Sequence, residues 1–121
     1  MPMVLLVDDS PVALRALARR LAAEDFDVRE EPTAALAVEA DVTNLACAVV
    51  DIELDDGNGA DIAAVLRAKR ATLPIAFFTA GASPPVLARA HAYGPIFMKP
   101  NIDAVVAWAK HVSSAQPPPT K

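Results

Sequence analysis

Met3-Val4-Leu5-Leu6-Val7-Asp8-Asp9-Ser10-Pro11 decides the reading of this chain: five apolar residues stop at two carboxylates, and a serine and a proline suited to open a helix follow. An apolar run this short, bounded by a helix start, reads as a buried parallel strand. The construction recurs. Cys47-Ala48-Val49-Val50 ends in Asp51, Ile75-Ala76-Phe77-Phe78 in Thr79, and Ile96-Phe97-Met98 in Lys99. In an open parallel sheet the ligand site lies beyond the carboxyl ends of the strands, so these polar residues are expected to converge. Three carboxylates in one place repel one another unless protons or a cation neutralise them, and oxygen ligands favour Mg²⁺ or Ca²⁺. A lysine and a hydroxyl beside a metal-bound carboxylate make a site for a phosphoryl group.

Working outward, short apolar runs alternate with amphipathic segments five times, the pattern of an α/β fold with a doubly wound five-stranded parallel sheet and helices on both faces. The expected strands lie near 3–7, 26–30, 45–51, 74–79 and 95–98. Ser10 caps the first helix with Pro11 at its first position; Leu14, Leu17 and Leu21 face the sheet, and Arg15, Arg19 and Glu24 face water. A second helix fits 32–41. The third follows Asp55-Asp56-Gly57-Asn58-Gly59 and buries Ile62, Val65 and Leu66, while Arg67, Lys69 and Arg70 read as a solvated end where cations suit the carbonyls. Pro84-Pro85 opens a short fourth helix ending near Gly94. Asn101 caps the last, which turns Ile102, Val105, Val106, Ala109 and Val112 to the core and sets Trp108 off the centre of that face.

A chain of 121 residues is long enough for one core, read here as a domain over 1–112 with a disordered Pro-rich tail over 113–121. Apolar residues make up 54% of it, but 26 are alanines and no run approaches the roughly 18 residues of a membrane span. No signal segment opens the chain, and a cytoplasmic location is expected. The single cysteine, Cys47, lies in a buried run and reads as a core residue. A net charge of −4 offers no basic footprint for nucleic acid. His91 and His111 have no partner at metal-ligand spacing.

Val7-Asp8-Asp9-Ser10, Asp51 with Gly59 eight residues on, Pro74 opening the run to Thr79-Ala80, and Lys99-Pro100 together resemble the receiver domain of bacterial two-component response regulators, the CheY-like family, from Met3 to about Val112. A lone Asp-Asp is weak evidence; four elements in family order are strong. The resemblance implies a flavodoxin-like, CheY-like fold and a stand-alone receiver rather than a conventional enzyme. It makes Asp51 the phosphoacceptor for a sensor histidine kinase or a histidine phosphotransfer protein. It implies Mg²⁺ held by Asp9 and Asp51 directly, by Asp8 through water and by the backbone carbonyl of Glu53. Lys99, aimed inward by a cis Pro100, and Thr79 would meet the phosphoryl oxygens. The output partner is unknown, and its expected surface, also the one for any homodimer, is the fourth helix, fifth strand and fifth helix.

Two features depart from the family pattern. Asp55 stands four residues after Asp51 where proline is usual, in an acidic loop with Glu53 and Asp56, and Ile96 stands three before Lys99 where a switch aromatic is usual. The segment from Thr79 to Lys99 is also about two residues short; Phe78-Thr79-Ala80-Gly81 is loosely similar to a Phe-Ala-Thr-Gly-type motif of a stand-alone subgroup. Two competing readings follow. Asp51-Ile52-Glu53 has the acid spacing of a haloacid-dehalogenase-like phosphatase, although no cap domain is present, and the altered switch suits a pseudo-receiver that binds a partner without phosphorylation.

Overall fold

Apolar runs interrupted by helix caps build a three-layer arrangement in the computed structural model, which describes residues 1–115. The chain runs β1 (Met3–Val7), α1 (Pro11–Ala23), β2 (Asp27–Glu31), α2 (Ala34–Ala37), β3 (Leu45–Val50), β4 (Glu53–Leu54), β5 (Gly57–Asn58), α3 (Gly59–Lys69), β6 (Ile75–Thr79), α4 (Pro84–His91), β7 (Ile96–Met98) and α5 (Ile102–Ala115). Five parallel strands form one sheet in the order β2-β1-β3-β6-β7, and β4 and β5 form a small antiparallel hairpin. The strand order reverses between β1 and β3, so their carboxyl ends border the crevice in which such sheets bind ligands.

Side-chain alternation divides the core in two. Leu5, Val7, Ala48, Val50, Ile75 and Phe77 point to the face covered by α2, α3 and α4, whereas Val4, Leu6, Cys47, Val49 and Phe78 point to α1 and α5. Burial on both faces explains why β1, β3 and β6 read as unbroken apolar runs. The caps act as expected: Ser10 Oγ accepts from the Ala13 N–H, and Asn101 Oδ1 from the Ala104 N–H. Leu14, Leu17 and Leu21 are buried on α1. Cys47 is fully buried, and desolvation pushes its thiol up to about 12.

Four local expectations need correction. The second helix is a single turn, not 32–41, because the chain tightens after Ala37 into three-residue turns, the Glu39 and Ala40 N–H groups donating to the Leu36 and Ala37 carbonyls. The carbonyls of Val38, Ala40 and Val42 beyond it accept from Lys69 Nζ, at the end of α3, and from Arg70 Nη1 just after it. Arg67, Lys69 and Arg70 are accordingly not a solvated end: Arg67 donates to the Leu73 and Tyr93 carbonyls at 2.6 and 2.7 Å, and Arg70 also donates to that of Leu45. Val65 is 38% exposed, since Gly59, Ala60, Ile62, Ala63 and Leu66 occupy the buried stripe of α3. The last helix continues through Ala115, three residues beyond the expected boundary, while Pro117-Pro118-Pro119 falls outside the described residues. The short segment before β7 is accommodated at Gly94, where any Cβ would overlap the Ile75 carbonyl. Among the described residues, no helix is long and apolar enough to cross a membrane.

Candidate functional site

The carboxyl ends of β1 and β3 bring three acids together. Val7 and Val50 are register partners, and the Asp51 N–H donates to the Val7 carbonyl at 2.8 Å, so Asp51 stands beside Asp8. Asp8, Asp9 and Asp51 each offer an oxygen within 4.8 Å of the others. Asp8 and Asp51 are buried, at 6% and 7% exposure, and Asp9 is half-buried. The lysine comes from across the sheet. Its backbone N–H donates to the Thr79 carbonyl, and its Nζ lies 2.8 Å from Asp8 Oδ2 and 3.2 Å from Asp51 Oδ2. The Lys99-Pro100 peptide is cis, as the sequence reading anticipates.

Backbone donors orient the carboxylates. Asp8 Oδ1 accepts from the Ser10 N–H at 2.9 Å, Asp51 Oδ1 from the Ile52 N–H at 2.7 Å, and Asp9 Oδ2 from the Asp55 N–H at 2.7 Å. Burial, and then repulsion from Asp8, raise the Asp51 pKa above its ordinary value, against the opposing pull of Lys99 and the Thr79 hydroxyl. Burial and the neighbouring acid thus both disfavour the charged form of the Asp51 carboxylate, and the Lys99 ammonium partly offsets them. Burial lowers the affinity of Lys99 for its proton, but the Asp8 hydrogen bond and the Asp51 charge outweigh it, and its pKa is raised. The ammonium stays charged between the two acids. Its other neighbour is the Phe78 ring, whose centre lies 5.9 Å from Nζ, within cation–π range.

Thr79 ends β6 nearly fully buried, its hydroxyl donating to the Gly81 carbonyl and accepting from the Gly81 N–H. Ala80 beside it is exposed. Glu53 opens the small hairpin two residues past Asp51 with its side chain in solvent. His91 and His111 are exposed on α4 and α5, apart from the acids. Trp108 and Ile96 are half-buried, Trp108 on the α1–α5 side of the core and Ile96 on the other, so Trp108 covers the flank of the core. Three contacts escaped the sequence reading: the Phe78 ring under Lys99, the Asp55 N–H on Asp9, and Asp56, whose carboxylate accepts from the Ala34 and Ala35 N–H groups at 2.8 and 3.1 Å. An acidic residue in a turn before a helix was the one available signal for the last.

Three clustered carboxylates with all-oxygen donors fit a hard divalent cation such as Mg²⁺, which needs few protein ligands. A family model described as the response regulator receiver domain matches residues 4–101. The photosynthetic apparatus regulatory protein RegA of Rhodovulum sulfidophilum is 39% identical over 79 residues, which span 64% of this chain and 43% of that protein. The non-phosphorylated receiver domain of HemR from Leptospira biflexa superposes with a TM-score of 0.85 at 27% identity, over 99% of this chain and 100% of that one. The fold is also that of the response regulator TrrA from Thermotoga maritima, solved in complex with Mg²⁺-BeF, with a TM-score of 0.79, 22% identity, and 93% and 99% coverage.

Proposed function

This chain belongs to the response regulator receiver family, and from that premise we propose that Asp51 accepts a phosphoryl group from a sensor histidine kinase or a histidine phosphotransfer protein. The observation that carries the reading is the buried Asp51 carboxylate, flanked by Asp8 and Asp9 and reached by Lys99 at 3.2 Å. A carboxylate oxygen of Asp51 attacks phosphorus, an acyl phosphate bond forms, the phosphorus–nitrogen bond to the donor imidazole breaks, and that nitrogen keeps the electron pair and is left neutral or protonated. Asp8, Asp9, Asp51 and the Glu53 carbonyl would hold Mg²⁺, which when bound supplies positive charge to the transferring phosphoryl oxygens. Lys99 turns its ammonium from Asp8 toward a second oxygen, and Thr79 gives up its Gly81 contact to donate to a third. The exposed Ala80 leaves room for the donor.

Hydrolysis of the acyl phosphate returns Asp51 to its carboxylate, so the chain acts on itself rather than on a stream of substrate. The response is read by a partner at α4, β7 and α5, the elements behind Thr79 and Lys99, without an aromatic side chain swinging at Ile96. Intact-mass measurement after incubation with acetyl phosphate and Mg²⁺ tests the nucleophile: one phosphoryl mass is expected on the natural protein and none on Asp51→Asn. Undiminished gain by Asp51→Asn would show that another residue is the acceptor.

A further inference from the structure

The acidic hairpin after Asp51 departs from the family pattern, and its contacts run in two directions. Among the described residues, the Asp55 N–H at 2.7 Å is the one hydrogen-bond donor to the Asp9 carboxylate. The next residue, Asp56, faces away from the site and grips α2 with both oxygens through the Ala34 and Ala35 N–H groups. Those contacts hold the Asp56 pKa below its ordinary value, the Ala34 bond contributing most. Gly57 lies so close to α2 that a Cβ there would stand 3.0 Å from that of Ala34. The hairpin is thus anchored on one side to a helical turn and on the other presents a backbone donor to an acid of the site.

We infer that Asp56 is a positioning residue for divalent-cation binding: by pinning the hairpin to α2 it holds the Asp55 N–H against Asp9 and so fixes the orientation of the Asp9 carboxylate. The inference rests on the reading of Asp9 as a ligand of Mg²⁺. Leu54 packs on the core and Asn58 caps α3, which hold the two ends of the hairpin, but its tip at Asp55 and Asp56 is tied down by the Asp56 anchor, and a hairpin of two-residue strands is marginal by itself. Without that anchor Asp9 samples rotamers, and part of the binding free energy is lost in ordering it. Proline at position 55, the usual family residue, has no N–H and could not serve in this way. The acid at 56 and the non-proline at 55 therefore work together.

Titration of Mg²⁺ alone into the full chain, by calorimetry and without phosphodonor, tests the arrangement. Asp56→Ala is expected to raise the dissociation constant about tenfold, at the lower end of what loss of a residue supporting a metal ligand costs. Asp56→Asn keeps one acceptor oxygen and is expected to fall between the two, which also covers the case in which the alanine variant folds poorly. Thr33→Ala removes the other cap of α2, the Thr33 hydroxyl on the Leu36 N–H, and is expected to change the constant less than about twofold. At saturating Mg²⁺ the acetyl phosphate reaction of Asp56→Asn should recover the natural rate, since the residue touches neither metal nor phosphoryl group. Natural affinity in both Asp56 variants, with affinity lost in Asp9→Ala, would overturn this inference alone, and so would an equal loss in Thr33→Ala. Failure of the natural protein to bind Mg²⁺, or indifference to Asp9→Ala, would overturn the proposed metal site and this inference with it.

Discussion

Gly59→Ala sets two effects of opposite sign against each other at the floor of the site. Gly59 is the first residue of α3, where alanine would by helix propensity gain at most about 1 kcal/mol. Its backbone, however, crosses directly over the end of β3: a Cβ would overlap the Asp51 carbonyl and stand 3.0 Å from the Ile52 Cα. These are backbone atoms with no rotamer to yield, so α3 and the strand end must part by roughly 1 Å, a strain of about 1–3 kcal/mol. The move also stretches the Gly59 N–H bond to the Ile52 carbonyl, now 2.7 Å, at a further cost of about 1 kcal/mol. Clash exceeds propensity, and a net destabilisation of about 1–3 kcal/mol is expected, or roughly 4 °C of melting temperature per kcal/mol. Urea unfolding gives the free energy, and the rate of Asp51 modification by acetyl phosphate reports the displaced carboxylate. A variant more stable than the natural protein, or one equally stable with an unchanged rate, would refute the reasoning.

Arg67→Met keeps the aliphatic stem but strands the Leu73 and Tyr93 carbonyls, so a loss of about 2–4 kcal/mol is expected in urea, with no rescue by Arg67→Lys, which lacks the two-pronged donor. Asp51→Asn should stabilise the metal-free protein at pH 7. Because the folded pKa of Asp51 is raised, its stabilising contribution is present below the ordinary carboxylate value and is lost as pH rises through the folded value; the urea midpoints of the two proteins should therefore converge toward pH 4. Cys47, with a thiol pushed up to about 12, should resist a thiol-specific disulfide reagent at pH 8 until the chain unfolds, and its contribution to stability should fall as pH rises above about 9 toward 12. Glu53→Ala should change the decay rate of the phosphorylated protein by more than about threefold if its exposed carboxylate meets attacking water, and an unchanged rate would remove it from the mechanism.

Much of this protein is legible along the chain because the signals are local. Apolar runs buried on both faces, Ser10 and Asn101 as caps, and Pro11 at a first helical position mark the elements without reference to distant residues. The convergence of Asp8, Asp9, Asp51, Thr79 and Lys99 follows from topology, since parallel strands all end on the same side of their sheet. The fate of surface charges was decided elsewhere. The segment after the one-turn second helix is clasped by lysine and arginine side chains about thirty residues later, and those contacts convert a row of apparently solvated cations into clasps on loops. Asp56 reads locally as a turn acid, yet its partners lie on α2, 22 and 21 residues earlier. Period and capping are properties of neighbours within a turn or a strand, whereas a long polar side chain on a surface finds its acceptor only after the backbone has folded, and that choice belongs to the tertiary structure.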